Sequence, residues 1–159
     1  MALAYFLTWT TYGTWLPGDK RGWVNHARTH GEVIDEPHVV LEHRARNLMS
    51  EPEATLDTEA RAIVEKALWQ CLEANSWHGH AINARSNHVH AVVTAYDIPP
   101  GKVMGVMKAH ATKALNAGFP PRKRWWTHDG SKHLLYTEES LRNAIRYVLG
   151  QDEAWRKDL

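Results

Sequence analysis

Two histidines separated by one residue are the first feature of this chain that could support chemistry. Asn87, His88, Val89 and His90 follow one another in an extended, apolar run that predicts a β-strand. Because side chains alternate along a strand, both imidazoles point to one face and Val89 points to the other. Two imidazoles on one face form half of a site for a divalent metal, which needs further oxygen or nitrogen ligands. The alternative is that these histidines serve packing or surface polarity, since the chain has 11 of them.

A second pair, His78 and His80, lies in the preceding extended run. A short turn between the two runs predicts a hairpin, across which all four imidazoles could bind one metal as a larger cluster. That arrangement would favour a metalloenzyme that does not act on nucleic acid. If neither pair binds a metal, the chain is a binding module with structural histidines.

Tyr147 and Gln151 are four residues apart near the end of the chain. On a helix, this spacing places a phenol and an amide on one face. A phenol can attack phosphorus where a metal withdraws charge from the phosphate, and an amide oxygen is a suitable third ligand for a hard cation. The alternative is that Tyr147 lies at a core boundary and Gln151 is exposed.

The elements that must position these groups follow from the pattern of apolar residues. Four segments have the aromatic, β-branched or alternating character of strands. They are residues 5–14, 77–84, 88–95 and part of 125–137. Three segments have helical spacing and begin after Asp57, Pro99 and Thr137. The order β-α-β-β-α-β-α predicts an α+β, ferredoxin-like split βαβ fold (βαββαβ) with an added C-terminal helix.

Size and composition are those of one ordinary domain. The chain has 159 residues, of which 43% are hydrophobic and 23% charged. We expect a single domain over residues 1–159 with a long loop insertion at about 16–52, which holds a short helix over 39–49. Cys71 has no partner for an internal disulfide, and no apolar run is long enough for a membrane span. We therefore expect a cytoplasmic protein with no membrane partner.

The net charge of +1 is the sum of two oppositely charged segments. Residues 101–136 carry a net charge of +6, whereas residues 31–76 carry −6. A concentrated positive segment is where a phosphate backbone would bind, because Lys and Arg replace the condensed counterions. A solvated charged face is the alternative.

These features resemble the single-tyrosine HUH transposases, and among them the REP-associated tyrosine transposases of the IS200-like group. The likeness lies in the run Asn87-His88-Val89-His90, in Tyr147 and Gln151, and in the element order, so it covers nearly the whole chain. It implies a nuclease that cuts single-stranded DNA next to a folded hairpin. Such an enzyme keeps the 5′ end on its tyrosine and leaves a 3′ hydroxyl that can reverse the reaction.

The resemblance also implies roles for individual residues. His88 and His90 would bind Mg²⁺ or Mn²⁺, Gln151 would complete the protein ligands, and Tyr147 would be the nucleophile. Gly150 can end the helix early and turn Gln151 away. A domesticated relative that binds repetitive hairpins without mobilising them would have the same site. The family includes monomers and dimers, so the resemblance implies either a monomer or a homodimer.

The resemblance implies single-stranded or hairpin DNA as the partner, and the basic segment would then bind this DNA. Cations on the second helix would bind phosphates, and a basic run precedes two tryptophans on which unpaired bases could stack. Burial of one of these tryptophans in a strand is the alternative. The candidate DNA-binding residues are Lys102, Lys108, Lys113, Arg122, Lys123, Arg124, Trp125 and Trp126.

Overall fold

The computed structural model describes residues 1–14, 23–24, 34–35 and 39–150 of the chain. The elements follow the predicted order, and the insertion contains the predicted short helix and, in addition, one short strand pair. The strands are β1 Ala4–Thr10, β2 Trp23–Val24, β3 Ile34–Asp35, β4 His78–Ala84, β5 His88–Thr94 and β6 Ser131–Leu135. The helices are α1 Val39–Asn47, α2 Thr58–Ala74, α3 Pro100–Gly118 and α4 Glu138–Val148.

Four strands form one antiparallel sheet in the order β4-β5-β1-β6, while β2 pairs with β3. The connection through α2 joins β1 to β4, and β5 lies between these two strands. The connection through α3 joins β5 to β6, and β1 lies between them. This is the split βαβ arrangement, so the predicted α+β, ferredoxin-like fold is confirmed.

Two helices begin where the sequence predicts because their N-cap side chains bond to backbone N–H groups that the helix leaves unpaired. At α2, Asp57 Oδ1 accepts a 2.8 Å hydrogen bond from the N–H of Ala60. At α4, the Thr137 hydroxyl accepts from the N–H of Ser140 at 3.1 Å, and the Ser140 hydroxyl accepts from the N–H of Thr137. This capping box fixes the first turn of the helix that carries Tyr147.

Helices cover both faces of the sheet. One face packs against α2 and α3 in the larger core, which includes Leu7, Trp9 and Val89. The other face packs against α4 in a smaller cluster that includes Phe6 and Val148. Because successive side chains alternate along β1 and β5, the face opposite Val89 is the face that α4 covers.

Only part of the segment 125–137 forms a regular strand, and the cause is local. Trp126 forms an isolated bridge with Thr11, and the chain then turns before β6 begins. Asp129 has a φ of 62° in this turn. A Cβ on Gly130 would lie 2.5 Å from the carbonyl oxygen of Thr8, so the close approach to β1 requires glycine.

The end of the insertion is tied to the end of β1. The predicted short helix is present as α1, and the chain after it approaches Tyr12. The N–H of Ala54 donates to the Tyr12 carbonyl at 2.8 Å, and the N–H of Ser50 donates to the Tyr12 hydroxyl at 3.1 Å. Among the helices of the described ranges, none is both long and apolar enough to cross a membrane.

Candidate functional site

His88 and His90 lie on one face of β5, as the strand period predicts. Their ring centroids are 4.6 Å apart, and the rings are nearly perpendicular. Val89, between them, is fully buried in the core on the opposite face. The strand is central in the sheet, with β4 and β1 on its two sides, so the pair is held on a rigid element.

The turn before β5 orients the His88 ring. The Asn87 carbonyl accepts from the N–H of Thr11 at 2.9 Å and from its hydroxyl at 3.3 Å, which fixes the backbone of the turn. Asn87 Oδ1 lies 2.7 Å from His88 Nδ1. Because an amide oxygen cannot donate, Nδ1 carries the proton and the imidazole lone pair is on Nε2. This hydrogen bond is the kind that orients a metal-binding histidine.

His90 has an equivalent orienting contact. The Thr8 hydroxyl lies 2.9 Å from His90 Nδ1, and Thr8 is the residue directly opposite His90 on β1. When this hydroxyl accepts the Nδ1 proton, the lone pair of His90 is also on Nε2. The ring is buried, so its position is set by packing as well as by this bond.

Tyr147 of α4 lies beside the histidine pair, where the sequence places it. Its ring centroid is 5.3 Å from that of His90, and the rings meet edge to face. Phe6 forms the base of this group, with ring centroids 5.7 Å from His90 and 5.8 Å from Tyr147. His133 on β6 contacts the same Phe6 ring at 6.2 Å. The phenol and both imidazoles therefore belong to one cluster at the C-terminal end of α4.

Asn83 joins this end of α4 to the sheet. It lies on β4 directly opposite His90, and its side-chain Nδ2 donates a 2.8 Å hydrogen bond to the carbonyl of Val148. Backbone carbonyls in the last turn of a helix have no partner within the helix. The bond therefore fixes the turn that carries Tyr147 relative to the strand that faces His90.

The helix ends before Gln151. Its last helical residue is Val148, and the N–H of Leu149 still donates to the Ile145 carbonyl. Gly150 then has a φ of 72°, the left-handed conformation that ends many helices. The helical segment that carries Tyr147 therefore ends at Val148. That residue lies outside the described part of the chain, so its role as a third ligand stays a prediction.

The four-histidine cluster considered from the sequence does not form. His78 pairs with Thr94, which is four residues beyond His90 on β5, or about 13 Å along the strand. His80 Nε2 hydrogen bonds to the Thr94 hydroxyl at 2.8 Å, and burial, followed by the nearby His78, lowers the pKa of His80. Within the described ranges, no group of three or more His, Cys, Asp and Glu side chains could hold a metal ion. The two pairs are therefore separate.

Comparison with solved structures finds the same architecture in two transposases. A REP-associated tyrosine transposase bound to a REP hairpin aligns with a TM-score of 0.52 and 12% identity, over 96% of this chain and 68% of that one. A protein classed as a transposase, from Deinococcus radiodurans R1, aligns with a TM-score of 0.51 and 14% identity, over 95% and 92%. The chain has the fold of these transposases. No protein-family model and no curated protein matches its sequence.

In this transposase fold, the basic helix α3 lies on the side of the sheet away from the histidine pair, because its buried residues belong to the larger core. Lys102 and Lys113 are exposed on it. Lys108 is half-buried, and its ammonium group donates to the backbone carbonyls of Thr127, at 3.0 Å, and Asp129. Burial lowers the pKa of Lys108 to about 8. These two bonds use two of the three N–H donors of the ammonium group, so a phosphate contact by Lys108 would have only the third donor.

The basic residues 122–124 contact Glu51, which belongs to the acidic segment 31–76. The Glu51 carboxylate accepts from the N–H groups of Lys123 and Arg124, each at 3.0 Å, and lies 3.8 Å from Arg122 Nε. The two backbone N–H groups are the main reason that the pKa of Glu51 is lowered. Arg122 also donates to the carbonyls of Pro52 and Glu53, while the Lys123 and Arg124 side chains are exposed. The acidic and the basic segment therefore meet at this point and partly neutralise each other.

The two tryptophans after this run pack against other residues of this chain. Trp125 is 6% exposed, and its indole N–H donates to Asn116 Oδ1 at 2.7 Å. Trp126 is half-buried, donates to the Thr112 hydroxyl at 3.1 Å and meets Trp9 edge to face. The base-stacking role predicted for Trp125 is wrong because its ring is inside the core. Trp126 exposes only part of its ring, so a DNA base would have little surface on which to stack.

Three contributors to the site were missed from the sequence. Phe6, Thr8 and Asn83 all lie on strands, on the face that carries the histidine pair. Strand alternation could have placed each of them on a face. Their contacts with His90 and Val148 depend on strand register and on the docking of α4, which a single sequence does not reveal.

Proposed function

We propose that this chain is a tyrosine transposase that nicks and rejoins single-stranded DNA next to a hairpin. The observation that carries the proposal is the position of Tyr147, whose ring lies 5.3 Å from that of His90 beside an oriented histidine pair. The fold supports it, since it is shared with a tyrosine transposase bound to a REP hairpin. A phenol beside two imidazoles has the composition that phosphoryl transfer by tyrosine requires.

The reaction would proceed by attack of the Tyr147 hydroxyl oxygen on the phosphorus of one phosphodiester. The bond from phosphorus to the 3′ oxygen breaks as the bond from tyrosine forms, and the phenol proton ends on the departing 3′ oxygen. The products are a 5′-phosphotyrosine and a free 3′ hydroxyl. Because the phosphotyrosine stores the energy of the broken diester, a 3′ hydroxyl can later attack it and restore a DNA strand.

The histidine pair fits a bound Mg²⁺ or Mn²⁺. Nδ1 of His88 is turned to Asn87 and Nδ1 of His90 to Thr8, which would leave both Nε2 lone pairs available for a shared metal ion. His88 and His90 would hold the ion, with the amide oxygen of Gln151 as a third ligand. When bound, the ion would polarise the phosphate and favour ionisation of the phenol. Phe6 and Asn83 would meanwhile keep Tyr147 in line with the phosphorus.

Exposed cations would bind the rest of the DNA. Lys102, Lys113, Lys123 and Arg124 have exposed side chains and could contact phosphates away from the reacting group. Their contribution would be electrostatic and independent of base sequence. The enzyme could act as a monomer, or as a homodimer in which the Tyr147 helix serves either chain.

The test is formation of a covalent adduct. The full chain is incubated with a 5′- or 3′-labelled hairpin oligonucleotide and Mg²⁺ or Mn²⁺, and the products are separated under denaturing conditions. We expect the protein to be joined to the 5′-phosphate of the fragment downstream of the nick, so that a 3′ label moves with the protein and a 5′ label does not. The adduct should be lost in Tyr147→Phe and kept in Tyr136→Phe. Tyr136 is a suitable control because it is 62% exposed and precedes the cap of the same helix.

A hairpin-binding protein without strand transfer is the second candidate, since the solved relative is itself bound to a hairpin. It would use the same cations and the same fold. Tight binding of hairpin DNA with no adduct in either metal would establish it in place of the transposase.

A further inference from the structure

Arg85 lies directly beside His88 on the face that carries the site. Its backbone N–H donates to the His88 carbonyl at 2.8 Å, which extends the β4–β5 pairing by one step beyond Ala84 and Val89. Residues that are directly opposite on antiparallel strands have neighbouring side chains on one face. Arg85 and His88 therefore form a cross-strand pair, next to the pair formed by Asn83 and His90.

The Arg85 side chain reaches from this position to the end of α4. Its Nη2 lies 3.5 Å from the place that a Cβ would take on Gly150. Gly150 belongs to the turn that ends the helix, where its N–H donates to the Tyr147 carbonyl at 3.1 Å. The guanidinium thus lies between the histidine pair and the backbone of the helix end that carries Tyr147.

One N–H donor of this guanidinium has no partner among the described residues. Within the described ranges, Arg85 Nε is buried without a hydrogen-bond partner, and Arg85 forms no ion pair. A guanidinium has five N–H donors in a planar fork that matches the oxygens of a phosphate. Burying such a donor without a partner is costly. A small movement of the side chain that brings Nε to a bound anion would recover that free energy.

We propose that Arg85 is a phosphate-binding residue of the site. Its guanidinium donates to the non-bridging oxygens of the phosphodiester that lies beside His88 and His90. This adds a fixed positive charge beside the reacting phosphate. The proposal rests on the proposed function for the identity of the ligand as DNA, whereas the binding of a phosphate group by Arg85 does not require cleavage.

A simpler role for Arg85 is to stabilise the negative end of the α4 dipole. In that case the side chain would affect stability but would not respond to a ligand. Arg61 provides a matched control, because its Nε is also buried without a hydrogen-bond partner in the described chain. Arg61 lies on α2, which packs against the opposite face of the sheet, and its Nη2 donates to Thr58.

The experiment follows the Nε–Hε signals of the arginines by NMR in the full chain. The Arg85 signal is identified by its loss in Arg85→Lys, and the probes are inorganic phosphate and a hairpin oligonucleotide. We expect both probes to shift the Arg85 signal saturably and to leave the Arg61 signal unchanged. Arg85→Gln should weaken oligonucleotide binding about tenfold, as expected for one charge-assisted hydrogen bond, and Arg61→Gln should not.

Two results would overturn the inference. One is an Arg85 signal that neither probe shifts, even if the adduct at Tyr147 forms normally. The other is an Arg85→Gln variant that unfolds at lower temperature but binds the oligonucleotide as wild type does. Conversely, a shifted Arg85 signal without any adduct would refute nicking and leave the phosphate site standing.

Discussion

The side-chain amide of Asn83 donates a 2.8 Å hydrogen bond to the backbone carbonyl of Val148. This contact joins the strand beside His90 to the helix residue that follows Tyr147. This amide, which takes no part in the chemistry, therefore helps to set the distance between the phenol and the histidine pair, together with the packing of Tyr147 on Phe6. Positioning of this kind is where catalytic geometry is most easily lost.

Asn83→Ala should slow adduct formation about tenfold, because small displacements of a nucleophile are costly. The lost hydrogen bond should also lower the free energy of unfolding by about 1 kcal/mol. Single-turnover cleavage and urea denaturation measure the two effects. Asn75→Ala is the control, since Asn75 donates the same kind of bond, at 2.8 Å, to a carbonyl in the last turn of α2. An equal loss of rate in both variants would contradict the positioning role.

Thr8→Val should lower the affinity for Mn²⁺ about 10- to 100-fold, because His90 loses the hydroxyl that orients its ring. Titration calorimetry on the metal-free chain measures this. Thr10→Val is the control on the same strand, since the Thr10 hydroxyl bonds to Thr127 instead. Unchanged Mn²⁺ affinity in Thr8→Val would show that His90 is not a ligand or needs no such support.

Because of Lys108, the free energy of unfolding should increase as the pH rises through the alkaline range. Its pKa is lowered from 10.5 to about 8 in the folded chain, so between these values the unfolded chain binds more protons and stability rises with pH. Because solvent reaches part of the side chain, we expect a gain of about 1–2 kcal/mol relative to Lys108→Met. Urea denaturation of both proteins at pH 7.5 and 10 measures it, with the exposed Lys113→Met as control. Parallel pH profiles for wild type and Lys108→Met would contradict this.

Arg122 and Arg124 should differ in their effect on DNA binding, although they are close in sequence. Arg124→Gln should reduce the salt dependence of oligonucleotide binding by about 0.7 in the log–log slope, the value for one single-strand phosphate contact. Arg122→Gln should lower the unfolding temperature with little change in slope, because Arg122 is engaged with Glu51 and with the carbonyls of Pro52 and Glu53. A larger change in the salt slope for Arg122→Gln than for Arg124→Gln would show that Arg122, and not Arg124, contacts the phosphate.

Local signals in the sequence predicted much of this structure. Asp57 and Thr137 mark the starts of α2 and α4 because capping acts within four residues. Strand alternation placed His88 and His90 on one face, and helical spacing placed Tyr147 on α4. These features depend on near neighbours in the chain, so a single sequence contains them.

The features that sequence reasoning missed or assigned wrongly depend on distant partners. Glu51 bonds to Lys123, 72 positions away, which brings acidic and basic segments together. Trp125 is buried because Asn116 and the core receive its indole ring. Charge patterns and aromatic spacing cannot distinguish such internal contacts from a surface that binds DNA.

Mass spectrometry of the protein after incubation with hairpin DNA and Mn²⁺ tests the central claim most directly. The account predicts a tryptic peptide that contains Tyr147 and carries the 5′-phosphate of the cleaved strand, absent in Tyr147→Phe and present in Tyr136→Phe. A nucleotide adduct on any other residue, or cleavage that persists in Tyr147→Phe, would contradict the account.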